Sequence, residues 1–334
     1  MARPYVNLKS ENILDELMQV LSSNIARYSA LKGVVGITLN GGLSRGYADK
    51  LSEIDLVIYL DKEHYENWHK EKAPVALGIV KLDGYLYDIK LADYDDESEK
   101  QWDSVALWDL SYAHILFDPL GKIKKLMENK LSVPEISRAE GLMFSSWWYF
   151  KLAGDIWISR GDALQGHFIM NRAIIPLLEA LFIANEEYIP HEKWIIHMSR
   201  SLKWKPEQWE ERLAGFLSGG DLSIPALAAR QKIMEGLWKD VDTYLIRKSC
   251  TGLQLNFSQR GCYELVKYLV DKGRVTIAEW EEKSSIAALN YEPFYSFASI
   301  RDGWVIADEE KLADVRPEDM YSWMYEVLCA ARPD

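Results

Sequence analysis

Asn40-Gly41-Gly42-Leu43-Ser44-Arg45-Gly46-Tyr47-Ala48-Asp49-Lys50-Leu51-Ser52-Glu53-Ile54-Asp55-Leu56-Val57-Ile58-Tyr59-Leu60 is the stretch from which the rest of the chain is read. In its second half Ile54, Leu56, Ile58 and Leu60 alternate with Glu53, Asp55, Val57 and Tyr59, so a period of two lays the aliphatic set on one face of a strand. Glu53 and Asp55 then point the same way, with Cα atoms roughly 6.5 to 7 Å apart at the rise of a strand. Two carboxylates this close raise each other's pKa, a cost that a divalent cation between them removes. The first half reads as a glycine turn ahead of a short helix. Gly41 and Gly42 let backbone N–H groups approach a polyphosphate, Ser44 offers a hydroxyl, and Arg45 can pair with a phosphate oxygen.

A third carboxylate follows. Val75 to Leu82 reads as a strand, Asp83-Gly84 is a strong hairpin signal, and Tyr85 to Leu91 returns antiparallel. Tyr87, Ile89 and Leu91 alternate with Asp88 and Lys90, so Asp88 faces away from the apolar side, as Glu53 and Asp55 do. The competing reading of Asp88 is a solvated strand acid paired with Lys90.

Gly41-Gly42, Ser44-Arg45-Gly46, Ser52-Glu53-Ile54-Asp55-Leu56 and the later Asp88 together resemble the nucleotidyltransferase superfamily typified by DNA polymerase β. The likeness covers roughly the first third of the chain and is nearest in flavour to the bacterial branch with the aminoglycoside and lincosamide nucleotidyltransferases. It implies Mg²⁺-dependent transfer of a nucleoside monophosphate from an NTP, ATP by preference, to a hydroxyl of a small-molecule acceptor such as an aminoglycoside-like antibiotic, with release of pyrophosphate. It implies two Mg²⁺ ions held by Glu53, Asp55 and Asp88, with Asp88 also able to take the proton of the attacking hydroxyl. Gly41, Gly42, Ser44 and Arg45 would hold the phosphates, and Lys193, in an Asn185…Tyr188…Pro190…Lys193-Trp194 run similar to one in the same relatives, would touch the triphosphate. Two positions depart from the family pattern: Glu53 stands where Asp is usual, and Gly42 where many members carry Ser. The extra methylene of Glu53 moves the oxygen by about a bond length, and Mg²⁺ tolerates poor geometry badly. Two further readings stand beside the first: an antitoxin-like nucleotidyltransferase that modifies a protein partner, and a non-catalytic nucleotide sensor with a relaxed metal site, which Glu53 favours.

The 334 residues, 48% hydrophobic and 12% aromatic, suffice for two cores with a possible small third. A formal charge of −12 argues against a general nucleic-acid binder, since such affinity rests on Lys and Arg neutralising phosphates. It suits a cationic small substrate. Cys250, Cys262 and Cys329 lack metal-ligand spacing and read as reduced thiols. The N-terminal residues begin no apolar signal region, no run is read as long enough to span a membrane, and the cytoplasm is the expected compartment.

The expected fold class is α+β: a nucleotidyltransferase-like mixed sheet with flanking helices over 1–131, an all-α bundle over 135–257 serving as the acceptor-binding wall, and a C-terminal extension over 258–334. The extension reads as mostly helical, with a short hairpin at Ile300–Ile306. Within this frame Ser10 is expected to cap the first helix, His114 to be packed in a strand, and Pro176 to kink a helix running from Asp162 to Ala184. Glu140, Asp155 and Asp162 are acids of the bundle that could meet a cationic acceptor.

Overall fold

The computed structural model describes residues 3–249 and 255–333; Cys250, one of the three expected thiols, lies outside them. Contacts group Met1–Pro134 with Asn185–Lys205 in one unit, and Glu135–Ala184 with Pro206–Asp334 in another.

In the first unit the alternation of the quoted stretch becomes two cores on the two faces of one sheet. Strand β1 (Val34–Leu39) leads into a single helical turn, α2 (Gly41–Ser44), and β2 (Ile54–Leu60) follows. Ile54, Leu56, Ile58 and Leu60 pack with Leu17, Leu21 and Tyr28 of α1 (Leu14–Ser29). Val57 and Tyr59 point the other way, toward Ile123 and Leu126 of α6 (Lys122–Lys130). After α3 (Lys62–Lys70), β3 (Gly78–Leu82) and β4 (Tyr85–Asp93) form the expected hairpin, with Asp83 at φ 51° and Gly84 at φ 92° in the left-handed region that a tight two-residue turn requires. Helices α4 (Tyr94–Glu99) and α5 (Ser104–Tyr112) are capped by the side chains of Asp93 and Asp103, and β5 (His114–Phe117) completes a sheet of order β3-β4-β2-β1-β5. The pairing of β2 with β4 is parallel and the others are antiparallel, so the sheet is mixed, as expected.

Two local expectations fail here. Ser10 does not cap α1: its hydroxyl meets that of Tyr47 and donates to the Asp49 carboxylate, and the Leu14 N–H donates to Asn12 Oδ1 instead. His114 is exposed, because its strand end stands clear of the neighbouring core.

Asn185–Lys205, read from the sequence as part of the bundle, packs with the sheet. The N-terminal strap ties it there: Arg3 pairs with Glu187 at 3.0 Å, the Tyr5 N–H donates to Ser201 Oγ, and the Asn7 N–H donates to His197 Nε2. Lys193 therefore belongs to the same unit as the glycine turn.

The second unit is helical around Ile174–Ala184, whose side chains are almost all buried. By length and composition Ala163–Ala184 could cross a membrane, contrary to the sequence reading, yet 67% of its apolar window is buried in the fold, as a core element would be. Pro176 does not kink it. The break falls at Arg172-Ala173, and Pro176 sits in the first turn of the second helix, where its missing N–H costs no hydrogen bond. A π-helical turn over Trp148–Ala153 is buttressed by Gln231, whose amide donates to the Phe150 carbonyl at 2.9 Å.

Beyond Asn256, a helix (Phe257–Lys272), β6 (Arg274–Thr276), short helical segments at Ile277–Glu281 and Ile286–Asn290, and the hairpin β7 (Ala298–Arg301) and β8 (Trp304–Ala307) build a three-stranded sheet of order β6-β8-β7. Trp280, Phe297 and Val305 lie in the core of this region. Residues 257–333 carry fourteen acids against nine Lys and Arg, the reverse of a phosphate-binding charge balance.

The acids of the bundle serve structure. Asp162 caps Ala163–Asn171, and Asp155 meets Gln231 and Lys151. Glu140 is pressed against Gly261, where an added Cβ would lie 1.9 Å from its Oε2. Burial pushes the Glu140 carboxyl up to about 7, against the pull of hydrogen bonds from the Cys262 and Gly261 amides. Because the folded pKa exceeds the usual carboxylate value, the fold favours the neutral acid: that stability is complete below about pH 4.5 and is lost as pH rises through 7. Glu140→Gln should therefore raise the melting temperature at pH 8 and leave it unchanged at pH 4, as read by thermal denaturation. An equal shift at both pH values would contradict this reading.

Candidate active site

The parallel ladder decides where the acids go. Asp55 of β2 pairs in register with Asp88 of β4, so both side chains leave the sheet on the face that carries Val57 and Tyr59. Glu53, two residues before Asp55, precedes the strand. Asp88 thus leaves the sheet on the same side as Asp55, as the alternation in the two strands leads one to expect.

In front of these acids lies a cavity of about 640 Å³, whose wall includes Gly41, Gly42, Arg45, Glu53, Asp55 and Lys193. Lys90, Trp108, Asp109 and Trp194 are among the other charged and aromatic residues that line it. Six of the eight residues assigned from the sequence thus meet around one cavity. The other two do not line it. Ser44 is buried and donates to the Gly41 carbonyl at 2.9 Å, stabilising the turn. Asp88 is held by Lys90 at 2.9 Å, so its competing reading describes its contact while the ladder still places it beside Asp55.

Arg45 is present but engaged. Its guanidinium stacks over Trp108 at 4.4 Å and pairs with Asp109 at 2.9 Å, with its side chain only 5% exposed. Lys193 is exposed, beside the half-buried Trp194.

The turn approaches Asp55 closely. The Asn40 N–H donates to the Asp55 carbonyl at 3.0 Å. Gly41 has φ 68°, and a Cβ built on it would fall 1.7 Å from Asp55 Oδ2, so both conformation and space demand glycine.

The electrostatics single out Asp55. Burial, then the charges of Glu53, Asp109 and Asp88, push its carboxyl up to about 7, with Lys90 acting against them. Hard carboxylate oxygens under mutual repulsion suit a small divalent cation. Among the described residues, however, no three Asp, Glu, His or Cys side chains are grouped so as to hold a metal ion. The expected three-carboxylate cluster of Glu53, Asp55 and Asp88 is therefore not assembled here, because Asp88 is turned to Lys90. Glu53 and Asp55, which share the cavity, are the donors that fit the ion.

Asp109 escaped the sequence reading. A signal was available: it is the one charged residue of α5, in Ser-Val-Ala-Leu-Trp-Asp-Leu-Ser-Tyr, and an acid in so apolar a helix needs a partner.

Residues 18–133 match the family model described as a nucleotidyltransferase domain. Among solved structures the chain is similar to a nucleotidyltransferase-like protein from Exiguobacterium sibiricum, at 12% identity and a TM-score of 0.44, covering 87% of this chain and 99% of that one. The chain matches no curated protein.

Proposed function

From residues 18–133 forming a nucleotidyltransferase domain of the polymerase β type, we propose that the chain moves a nucleoside monophosphate from ATP to a hydroxyl of a small-molecule acceptor, releasing pyrophosphate. The observation that carries this reading is the cavity where Asp55, set across the ladder from Asp88, meets the Gly41-Gly42 turn and Lys193.

The acceptor oxygen forms a bond to the α-phosphorus, the bond from that phosphorus to the pyrophosphate oxygen breaks, and the acceptor proton leaves to a carboxylate, assigned to Asp88. Glu53 and Asp55 would hold Mg²⁺, which supplies neutralisation of the charge on the phosphates. Lys193, an exposed cation of the cavity wall, would face the triphosphate, since the other exposed lysine there, Lys90, is paired with Asp88. An acidic chain with several carboxylates around this cavity favours an acceptor bearing amines, of which aminoglycosides are the convenient probe.

The test is pyrophosphate release with ATP, Mg²⁺ and a panel of aminoglycosides and other polyols. Acceptor-dependent release supports transfer. Nucleotide binding without turnover under every condition would instead support the sensor reading, which the Asp88–Lys90 pair and Glu53 favour. Within the transfer reading, Lys193→Ala should raise KM for ATP about tenfold, the worth of one charge-assisted contact, with kcat little changed. A fall in kcat at constant KM would remove Lys193 from the role.

A further inference from the structure

Asp109 reaches the glycine turn from α5 with both oxygens. Oδ2 accepts from Asn40 Nδ2 at 2.8 Å, and Oδ1 accepts from Arg45 at 2.9 Å and from the Gly41 N–H at 3.3 Å. Asn40 is itself oriented by Thr38, whose hydroxyl donates to Asn40 Oδ1 at 2.7 Å, so its amide can present Nδ2 only toward Asp109. On its other side the turn touches Asp55, through the Asn40 N–H and the close approach of Gly41. One carboxylate on a helix thus holds three donors of the turn that abuts the principal acid of the cavity.

The contact is more than a surface ion pair. The Arg45 side chain is almost wholly buried against Trp108, and a guanidinium in that position needs a fixed carboxylate. The donors Asp109 engages also belong to the segment whose sequence suggested phosphate binding.

Resting on the function proposed above, we propose that Asp109 is a positioning residue for nucleotidyl transfer: it holds the Asn40–Arg45 turn against Asp55 and commits Arg45 to that task. The phosphates are then left to the backbone of the turn and to Lys193. Asp109 acts through its neighbours and touches no reacting atom.

Hydrogen–deuterium exchange on the full-length chain tests this without turnover. Asp109→Ala should speed exchange across residues 41–47 about tenfold while β1 and β2 keep their protection. Asp109→Asn, which keeps one acceptor oxygen, should give a smaller increase. In the transfer assay, Asp109→Ala should lower kcat about a hundredfold, the scale of a misplaced reacting group, with KM for ATP within about threefold. Unchanged exchange at the turn overturns the proposal. So does a KM for ATP that falls, which would make Asp109 a mere competitor of the phosphates.

Should Asp109→Ala leave Arg45 unpaired and the chain unfolded, the double variant Arg45→Met with Asp109→Ala removes the stranded charge and takes its place. Wild-type exchange and kcat in that double variant would reduce the pair to a structural bridge. Failure of the transfer reading is distinct: it shows as no turnover by the unmodified protein, and the exchange measurement still decides the role of Asp109.

Discussion

Asp55→Asn lowers nucleotidyl transfer about 10³-fold or more, the scale seen when one group that stabilises transition-state charge is removed. The substitution keeps the shape of the side chain and removes the charge that three neighbouring carboxylates already oppose. The loss should appear in kcat more than in KM for ATP, since the other walls of the cavity are untouched. Stability should move the other way. Asp55 has a folded pKa of about 7, above its ordinary 3.8, so its contribution to stability is complete below about pH 4 and lost as pH rises through 7. A neutral isostere escapes that loss, and Asp55→Asn should melt at a higher temperature than the unmodified chain at pH 8. Loss of activity with gain of stability is the signature of a residue kept for chemistry against the interest of the fold. A variant that retained activity, or lost activity by unfolding, would count against this assignment.

Gly41→Ala should cost about 3 kcal/mol, combining left-handed strain of roughly 1–2 kcal/mol with overpacking of roughly 1–3 kcal/mol. The added methyl has nowhere to go: Asp55 occupies the position it would take. Gly46 provides the internal comparison, since it too has positive φ, at 83°, but nothing lies within 4 Å of its would-be Cβ. Gly46→Ala should therefore carry only the backbone strain, about 1 kcal/mol. Urea denaturation of the two variants measures the difference. Equal destabilisation would mean that the close approach of the turn to Asp55 is not maintained in solution.

The parts of this site that local chemistry dictates could be read directly. Alternation in Ile54–Leu60 placed Asp55 on the face opposite the aliphatic set, and Asp83-Gly84 announced the hairpin that brings Asp88 back. The parallel pairing of β2 with β4 is non-local, and no spacing within either segment specifies it; the family likeness implies that the acids meet, and the direction of the pairing is legible only in the structure. Arg45 and Ser44 show the opposite limit. Their types suit phosphate, but packing gives Arg45 to Asp109 and Trp108, and Ser44 to the Gly41 carbonyl. Lys193 could be linked to the glycine turn by resemblance alone, because the strap at Arg3–Asn7 that draws its segment to the sheet has no motif. Pro176 reads as a kink in one helix from Asp162 to Ala184 by its general habit, whereas a new helix starts at Ile174 and leaves Pro176 in a first turn that tolerates it.

The β2–β4 ladder runs through seven consecutive pairs, from Ile54 with Tyr87 to Leu60 with Asp93. Its alignment makes the two acids neighbours by parity, independently of the length of chain between them. Loop grafts between α3 and β3 should therefore be tolerated by the chemistry, while inserting a single residue into either strand upstream of its acid would send one carboxylate through to the greasy side of the sheet. For anyone redesigning this domain, the α3–β3 connection is open ground, and the two strands and the glycine turn are not.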